Sequence, residues 1–311
     1  LITLNEKSGC KIQGLQIDGN KTTFTASYNY GIYLYSSSNN TVTGNTCNNN
    51  SSDGIYLSSS SNDNTITSNT CNNNDYYGIF LYSSSNNTVT GNTCNNNRHG
   101  IYLFSFSSNN KITGNTCNNN STGIKITSSS ETTITGNTCN NNKNGIDLFS
   151  SDNNTITGNT CNNNENGIYI YVSSNNTTTC NTCNNNYIGI YLFSSDNNTV
   201  TGNTCNNGNN GIRLYASSNN TVTGNTCNNN NNNGIYLNVS SNNTVTGNTC
   251  IRGTGQTSDY APNQYTIQLQ GAYNNYNLIS SNNCMGKAVV IEGGTGNSAW
   301  GNKCDSGDDL S

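Results

Sequence analysis

The chain has 311 residues, with 11 Lys and Arg against 15 Asp and Glu, a net charge of −4 and one histidine. Only 8% of its residues are charged, against about a quarter in an ordinary globular domain, so Asn, Ser and Thr must supply the polar surface. No basic block is present, which excludes nucleic acid as a partner, because phosphates need Lys and Arg to neutralise them. No segment approaches the roughly 20 apolar residues that cross a bilayer.

The chain starts at Leu1 and not at Met, as expected of a processed or trimmed form. A short unit at 11–20 is followed by an insertion at 21–30. From Gly31 a unit of the form NNTVTGNTCNNNxxGIYLxSS recurs, its cysteines at 47, 71, 94, 117, 139, 161, 183, 205, 227 and 250, in steps of 22 to 24. Each unit holds three short strand signals, such as Thr41-Val42-Thr43, Asn45-Thr46-Cys47 and Ile55-Tyr56-Leu57, separated by Gly, Asn and Ser turns. No segment has helical periodicity. Asn-Gly pairs such as Asn166-Gly167 suggest antiparallel hairpins, but three strands per unit would then reverse direction from unit to unit, and identical positions would never stack. Leucine-rich repeats need more leucine, and a calcium β-roll needs a Gly-Gly-x-Gly-x-Asp repeat that is absent.

The fold expected is therefore all-β, a right-handed single-stranded parallel β-helix of about thirteen coils of 22–24 residues, with three short strands per coil. One inward column runs Ile32, Ile55, Ile79, Ile101, Ile124, Ile146, Ile168, Ile190, Ile212, Ile235, and a second lies two residues on, from Leu34 to Leu237. A third precedes each cysteine by five residues, from Val42 to Val245, and the cysteines form the fourth. Ile12 and Ile17 fall in the valine and cysteine columns at the start; Ile279 with Cys284 and Ala299 with Cys304 continue them at the end. Regular repeats are expected over 1–250, with irregular coils and a cap over 251–311 in one continuous solenoid, interrupted by a second insertion at 251–263.

The motif Asn-Asn-Thr-Val-Thr-Gly-Asn-Thr at 39–46, with Gly-Ile-Tyr-Leu-Tyr-Ser-Ser at 31–37, resembles that of the parallel β-helix repeat proteins. These include the NosD-like and S-layer-associated surface proteins of methanogenic archaea. The resemblance covers about 8–304 and implies the β-helix fold; it is weak for function. It departs from that family chiefly in having Cys where Ile or Val is usual.

Regularly spaced cysteine favours an oxidising compartment, hence a secreted or cell-envelope location. Recurrent sequons such as Asn39-Asn40-Thr41 make glycosylation an open question. The ladder of Cys47, Cys71, Cys94, Cys117, Cys139, Cys161, Cys183, Cys205, Cys227 and Cys250, with Cys284 and Cys304 beyond it, fits disulfides between adjacent coils, free stacked thiols or a metal thiolate chain. Disulfides are the leading expectation, although in-register strands hold the Cβ atoms slightly too far apart. Cys10 and Cys180 stand off the ladder and are candidates for a link to another subunit. Two outward columns are aromatic: Tyr33, Tyr56, Phe80, Tyr102, Tyr169, Tyr191 and Tyr236, then Tyr35, Tyr82, Phe104, Phe149, Tyr171, Phe193 and Tyr215. An exposed patch of this kind marks an interaction surface, or else the rings simply stabilise the sheet. Where the first column breaks, Lys125 and Asp147 face each other as a pair.

Catalysis has thin support. Asp152 and Asp196 hold equivalent positions two coils apart, with Asp63 along the same edge, and no base accompanies them. Arg98-His99 reads as a solvated turn, and Asp259, Glu292, Trp300, Asp305, Asp308 and Asp309 show no paired pattern. The function expected is that of a non-enzymatic extracellular structural protein. It would self-associate into a sheath, filament or surface layer, held by Asn and Cys ladders and needing no cofactor or metal. The alternative is an adhesin or glycan-binding module using the aromatic columns, and after it a polysaccharide lyase, hydrolase or epimerase.

Overall fold

The computed structural model describes residues 1–23, 29–251, 265–285 and 289–304, Cys304 by its backbone alone. No helix occurs among them. The chain divides into two compact units, Leu1–Thr160 and Cys161–Ser311, and each is a right-handed parallel β-helix.

In the first unit one sheet runs from Ile2–Asn5 through Ile32–Tyr35, Ile55–Ser58, Tyr77–Tyr82, His99–Phe104 and Thr122–Thr127 to Asn144–Phe149. A second runs from Lys11–Gln13 to Thr155–Thr157. In the second unit the corresponding sheets run from Asn166–Tyr171 to Val289–Glu292 and from Thr177–Thr179 to Ser298–Trp300. The third face is the shortest. It pairs Gln16–Asp18 with Thr46–Asn48, and Asn283–Cys284 with Lys303–Cys304; elsewhere it shrinks to single parallel bridges such as Thr70↔Thr93 and Thr204↔Thr226. The cause is local. Two residues after each ladder cysteine from Cys47 to Cys227 the backbone turns left-handed, at φ 57° in Asn73 and Asn96, which ends the strand and which Asn tolerates better than most residues.

The columns stack in register. Ile79↔Ile101↔Ile124 and Leu81↔Leu103↔Ile126 lie on one sheet, and Ile66↔Val89↔Ile112 on the other. These side chains and the ladder cysteines from Cys47 to Cys284, Cys180 not being one of them, are buried at 0–1% exposure. The end alignments hold as well: Ile12 pairs Val42, Ile17 pairs Cys47, Ile279 pairs Ala299, and Ile267 and Leu269 pair Val289 and Ile291. Of the two insertions, 24–28 and 252–264 lie outside the described residues.

Asparagine holds the corners at height. The backbone N–H of Asn69 donates to Asn92 Oδ1 at 2.9 Å, and that of Asn92 to Asn115 Oδ1 at 2.9 Å. The Asn92 amide also reaches back to the Ile66 carbonyl at 2.9 Å. Asn203, Asn225 and Asn248 repeat this in the second unit. Each buried amide thus satisfies backbone groups that a turn between short strands would leave without partners. A serine ladder does the same at another corner, with Ser84 N–H on Ser107 Oγ at 3.0 Å.

The cysteine column has a steric cause. A Cβ placed on Gly100 would lie 2.6 Å from the Gly123 carbonyl oxygen and 2.8 Å from Cys117 Cβ. The glycine backbone therefore presses against the cysteine column, which leaves room for a small apolar side chain and little more.

Two substitutions test this account. Asn92→Ala strips partners from the Asn69 N–H and the Ile66 carbonyl; at about 1–3 kcal/mol per orphaned group, the urea midpoint should fall clearly at unchanged m-value. Val239 holds a left-handed backbone at φ 51°, so Val239→Gly should raise the midpoint by relieving about 1–2 kcal/mol of steric cost, offset in part by glycine's entropy.

Candidate functional site

The thirteen described cysteines are all free thiols, eleven of them buried inside the coils. No disulfide joins adjacent coils among the described residues. In-register stacking places successive Cys directly above one another at about 4.8 Å, beyond the usual Cβ separation of a disulfide. Burial, and after it the neighbouring Cys117 and Cys71 thiols, push the Cys94 thiol well up from its ordinary range; Cys205 is held the same way by burial and by Cys183 and Cys227. Cys94 and Cys205 are thus held as thiols, with little of the reactive thiolate. Off the ladder, Cys180 is exposed at φ 55°, where most coils have glycine, and Cys10 is half-buried in the column of Asn40, its Sγ 3.7 Å from the Ser8 carbonyl. The side chain of Cys304 lies outside the described residues.

On the outer face of the first unit the aromatic column is a true stack. Tyr33 and Tyr56 lie 4.9 Å apart and 7° from parallel, Tyr56 and Phe80 5.0 Å and 8°, Phe80 and Tyr102 5.3 Å and 16°. These rings are half-buried, whereas Tyr35, Tyr82 and Phe149 of the second column are exposed. Lys125 and Asp147 are register partners, yet they form no ion pair; Lys125 Nζ lies 5.8 Å from the Tyr102 ring centroid, and Asp147 accepts from the Asn144 amide at 3.1 Å. Burial, its largest influence, raises the Asp147 carboxyl above its ordinary value against the pull of Lys125.

A further column flanks the stack, and the sequence reading missed it. It consists of the residue before each Gly-Ile: Tyr30, Asp53, Tyr77, His99, Thr122 and Asn144. His99 is not on a solvated turn. It begins strand His99–Phe104, is 7% exposed and stacks on Tyr77 at 5.3 Å and 6°. Burial first, then Lys125 and Arg98, lower its pKa to about 3. Asp53 is 3% exposed and accepts the Tyr77 N–H at 3.0 Å. It lines a recess of about 360 Å³ with Tyr30, Ser52, Tyr56, Tyr76, Tyr77 and Phe80. Burial raises its carboxyl from 3.8 to about 7, against the opposing Tyr77 hydrogen bond.

In the second unit an arginine interrupts the column. The Arg213 guanidinium lies 5.1 Å from the Tyr191 ring centroid, 5.4 Å from that of Tyr236 and 5.8 Å from that of Tyr215. Its Nε is buried and makes no hydrogen bond. Rings thus hold the guanidinium in place, and no protein oxygen accepts from that nitrogen. Arg213 lines a recess of about 330 Å³ with Tyr187, Asn209, Asn210, Asn232, Asn233, Tyr236, Tyr265, Gln268, Gln270 and Glu292. The signal for it was an arginine at a position where most coils carry an aromatic ring.

The acidic candidates do not assemble a site. Asp63 and Asp152 are exposed turn residues, while Asp196 Oδ1 accepts the Ser218 N–H at 2.6 Å, as Asn62 Oδ1 accepts from Ser85 at 2.7 Å. They serve the corners. Glu292 joins the Arg213 recess, Trp300 is exposed, and Asp259, Asp305, Asp308 and Asp309 lie outside the described residues.

Coils of near-identical sequence, in-register parallel sheets and an outward aromatic column define a right-handed β-helix protein. Residues 1–161 match the family described as right handed beta helix region, and residues 142–306 match the family described as periplasmic copper-binding protein (NosD); the chain belongs to both. No curated protein matches the chain. Among solved structures it is similar to the periplasmic alginate epimerase AlgG, at 16% identity over 96% of this chain and 76% of that one, TM-score 0.57. It is also similar to the A-module of the mannuronan C-5 epimerase AlgE4 of Azotobacter vinelandii, at 16% identity over 97% and 84%, TM-score 0.56. The Dettilon tailspike protein aligns at 16% identity over 98% of this chain and 60% of its own, TM-score 0.50. At this identity the likeness is one of fold.

Copper does not fit the side chains described. Among those residues no three His, Cys, Asp or Glu side chains converge on a point. The chain's one histidine is packed flat on Tyr77, and the thiols run in a sealed line and do not surround a centre.

Two measurements follow. A thiol reagent should label Cys180, and Cys10 more slowly, in the native protein, and the ladder only after denaturation; denatured, unreduced protein showing far fewer thiols than its 14 cysteines would establish the paired state. Asp53 binds its proton more tightly folded than unfolded, so stability should fall as pH rises from about 4 to about 7, by up to roughly 4 kcal/mol at 1.36 per unit. Asp53→Asn should flatten that slope in urea titrations between pH 4 and 8.

Proposed function

We propose that the chain is an extracytoplasmic polysaccharide-binding β-helix, which holds an acidic sugar at Arg213 and does not turn it over. The observation that carries this reading is a guanidinium clamped among three tyrosine rings in a polar recess. A uronate carboxylate would take the open side of the guanidinium fork. Its hydroxyls would meet the carboxamides of Asn232, Asn233, Gln268 and Gln270, and a pyranose face would rest on Tyr187 or Tyr236. Two of the similar structures, an alginate and a mannuronan epimerase, support the same ligand class. A binding role without turnover is favoured because, among the described residues, the recess lining holds one carboxylate, Glu292, and no lysine or histidine beside it. The family's periplasmic description and the sparse charge agree with a location outside the cytoplasm.

A second reading keeps self-association into a sheath, filament or layer. It draws on the outward exposure of Tyr35, Tyr82, Phe149 and Tyr187, at 40%, 37%, 37% and 58%, and on Cys180 as an accessible link between copies.

Calorimetry with short oligouronates and matched neutral oligosaccharides tests the first reading. Saturable binding to the acidic series is expected, weakened about tenfold or more by Arg213→Ala, since charge-assisted contacts contribute roughly 1.5–3 kcal/mol, and partly retained by Arg213→Lys. Equal binding of neutral and acidic sugars would sink the role of Arg213. Failure to bind, together with ordered filaments that loosen in reductant under the electron microscope, would move the assignment to self-association.

A further inference from the structure

The recess around Asp53 lies in the first unit and takes no part in the polysaccharide reading. Its carboxylate is 3% exposed, and one oxygen is engaged by the Tyr77 N–H at 3.0 Å. Among the described residues no basic side chain pairs with it and no Lys or Arg lines the recess; the ion pair of Lys21 with Asp75, at 2.7 Å, does not involve Asp53. A lone buried carboxylate is costly unless a cation compensates it. Nor does the fold need the charge here. In another coil of the same unit the corresponding position is Asn144, and an amide oxygen can accept a backbone N–H as well as a carboxylate does.

The walls say what kind of cation would fit. Tyr30, Tyr56, Tyr76, Tyr77 and Phe80 line the recess, with Tyr30 and Tyr56 5.0 Å apart and Tyr77 and Phe80 4.8 Å apart at a 58° tilt. Tyr30 and Tyr77 are thus set at an angle to Tyr56 and Phe80, which stack on each other at 8°. A metal ion needs several oxygens, and the recess offers one carboxylate. A primary ammonium brings three N–H donors that ring faces satisfy poorly. A methylated ammonium has few or no N–H groups, spreads its charge over methyls that pack on rings, and is drawn to ring quadrupoles.

We propose that the Asp53 recess binds a quaternary or methylated ammonium group, with Asp53 as counter-ion and Tyr30, Tyr56, Tyr77 and Phe80 as its aromatic walls. The volume of about 360 Å³ accommodates such a head group with part of the chain that bears it. Ligand entry displaces water from the rings and supplies the positive charge that the buried carboxylate lacks.

The test uses the intact chain and three probes: choline, its neutral isostere 3,3-dimethylbutan-1-ol, and methylammonium. Binding is followed by tyrosine fluorescence and calorimetry. Choline should bind saturably and about tenfold or more tighter than the isostere, the difference a desolvated cation–π and charge contact supports. Methylammonium should bind more weakly than choline. Asp53→Asn should lose about tenfold in choline affinity while its circular dichroism stays native, and the uronate affinity of Arg213 should be untouched. Equal affinity for choline and the isostere, preference for methylammonium, or no saturable choline binding overturns the proposal. The isostere comparison is made on unaltered protein, so it stands even if Asp53→Asn fails to fold.

Discussion

The constraint on which the structure depends is that every coil must return to the same height as its neighbour, at every corner, with no helix to help it. Strands of two to six residues cannot enforce this alone. The enforcing interaction is the amide of Asn69, Asn92, Asn115 and their counterparts, which ties a backbone N–H of one coil and a carbonyl of another to the same side chain. Once height is fixed, identical side chains lie above one another, and inner and outer columns follow without further instruction. The glycine that lets backbone approach backbone, and the cysteine that fills the narrow space beside it, are consequences of that close stacking.

Much of the fold was legible because columns are a property of spacing. Ile12 and Ile17, in a unit with no cysteine, could be placed against Val42 and Cys47, and the structure pairs them so. Cys180 could be seen to replace a glycine, and it does occupy a left-handed backbone position. The state of the ladder was less legible, since spacing alone does not tell a thiol from a disulfide. The third strand was overdrawn for a similar reason: Asn-Thr-Cys has strand propensity, but the left-handed Asn that follows leaves most copies a single bridge.

The candidate sites were hidden by the same regularity. Attention to recurring positions brought out aromatic rings, most of which only stack, and passed over the residues that break the pattern. Arg213 stands where Tyr191 and Tyr236 have their neighbours, and Asp53 stands between Tyr30 and Tyr77. His99 was misplaced because Arg98 beside it suggested a wet turn, whereas Tyr77 and Tyr102 give the imidazole an apolar berth. In a repeat protein consistency builds the scaffold, and the local exceptions are where chemistry concentrates.

The stacked ladders also bear on how such a chain changes over time. Each coil meets its neighbours through the same inventory of amides, glycines and small thiols, and stability in such arrays is close to a sum of nearest-neighbour terms. Recombination that gains or loses one whole 22-residue unit between equivalent codons would therefore leave every remaining contact of the same kind as before. Length is then a nearly neutral trait. The spacing between outward features of one unit can drift in whole-coil steps, independently of the chemistry that each one carries.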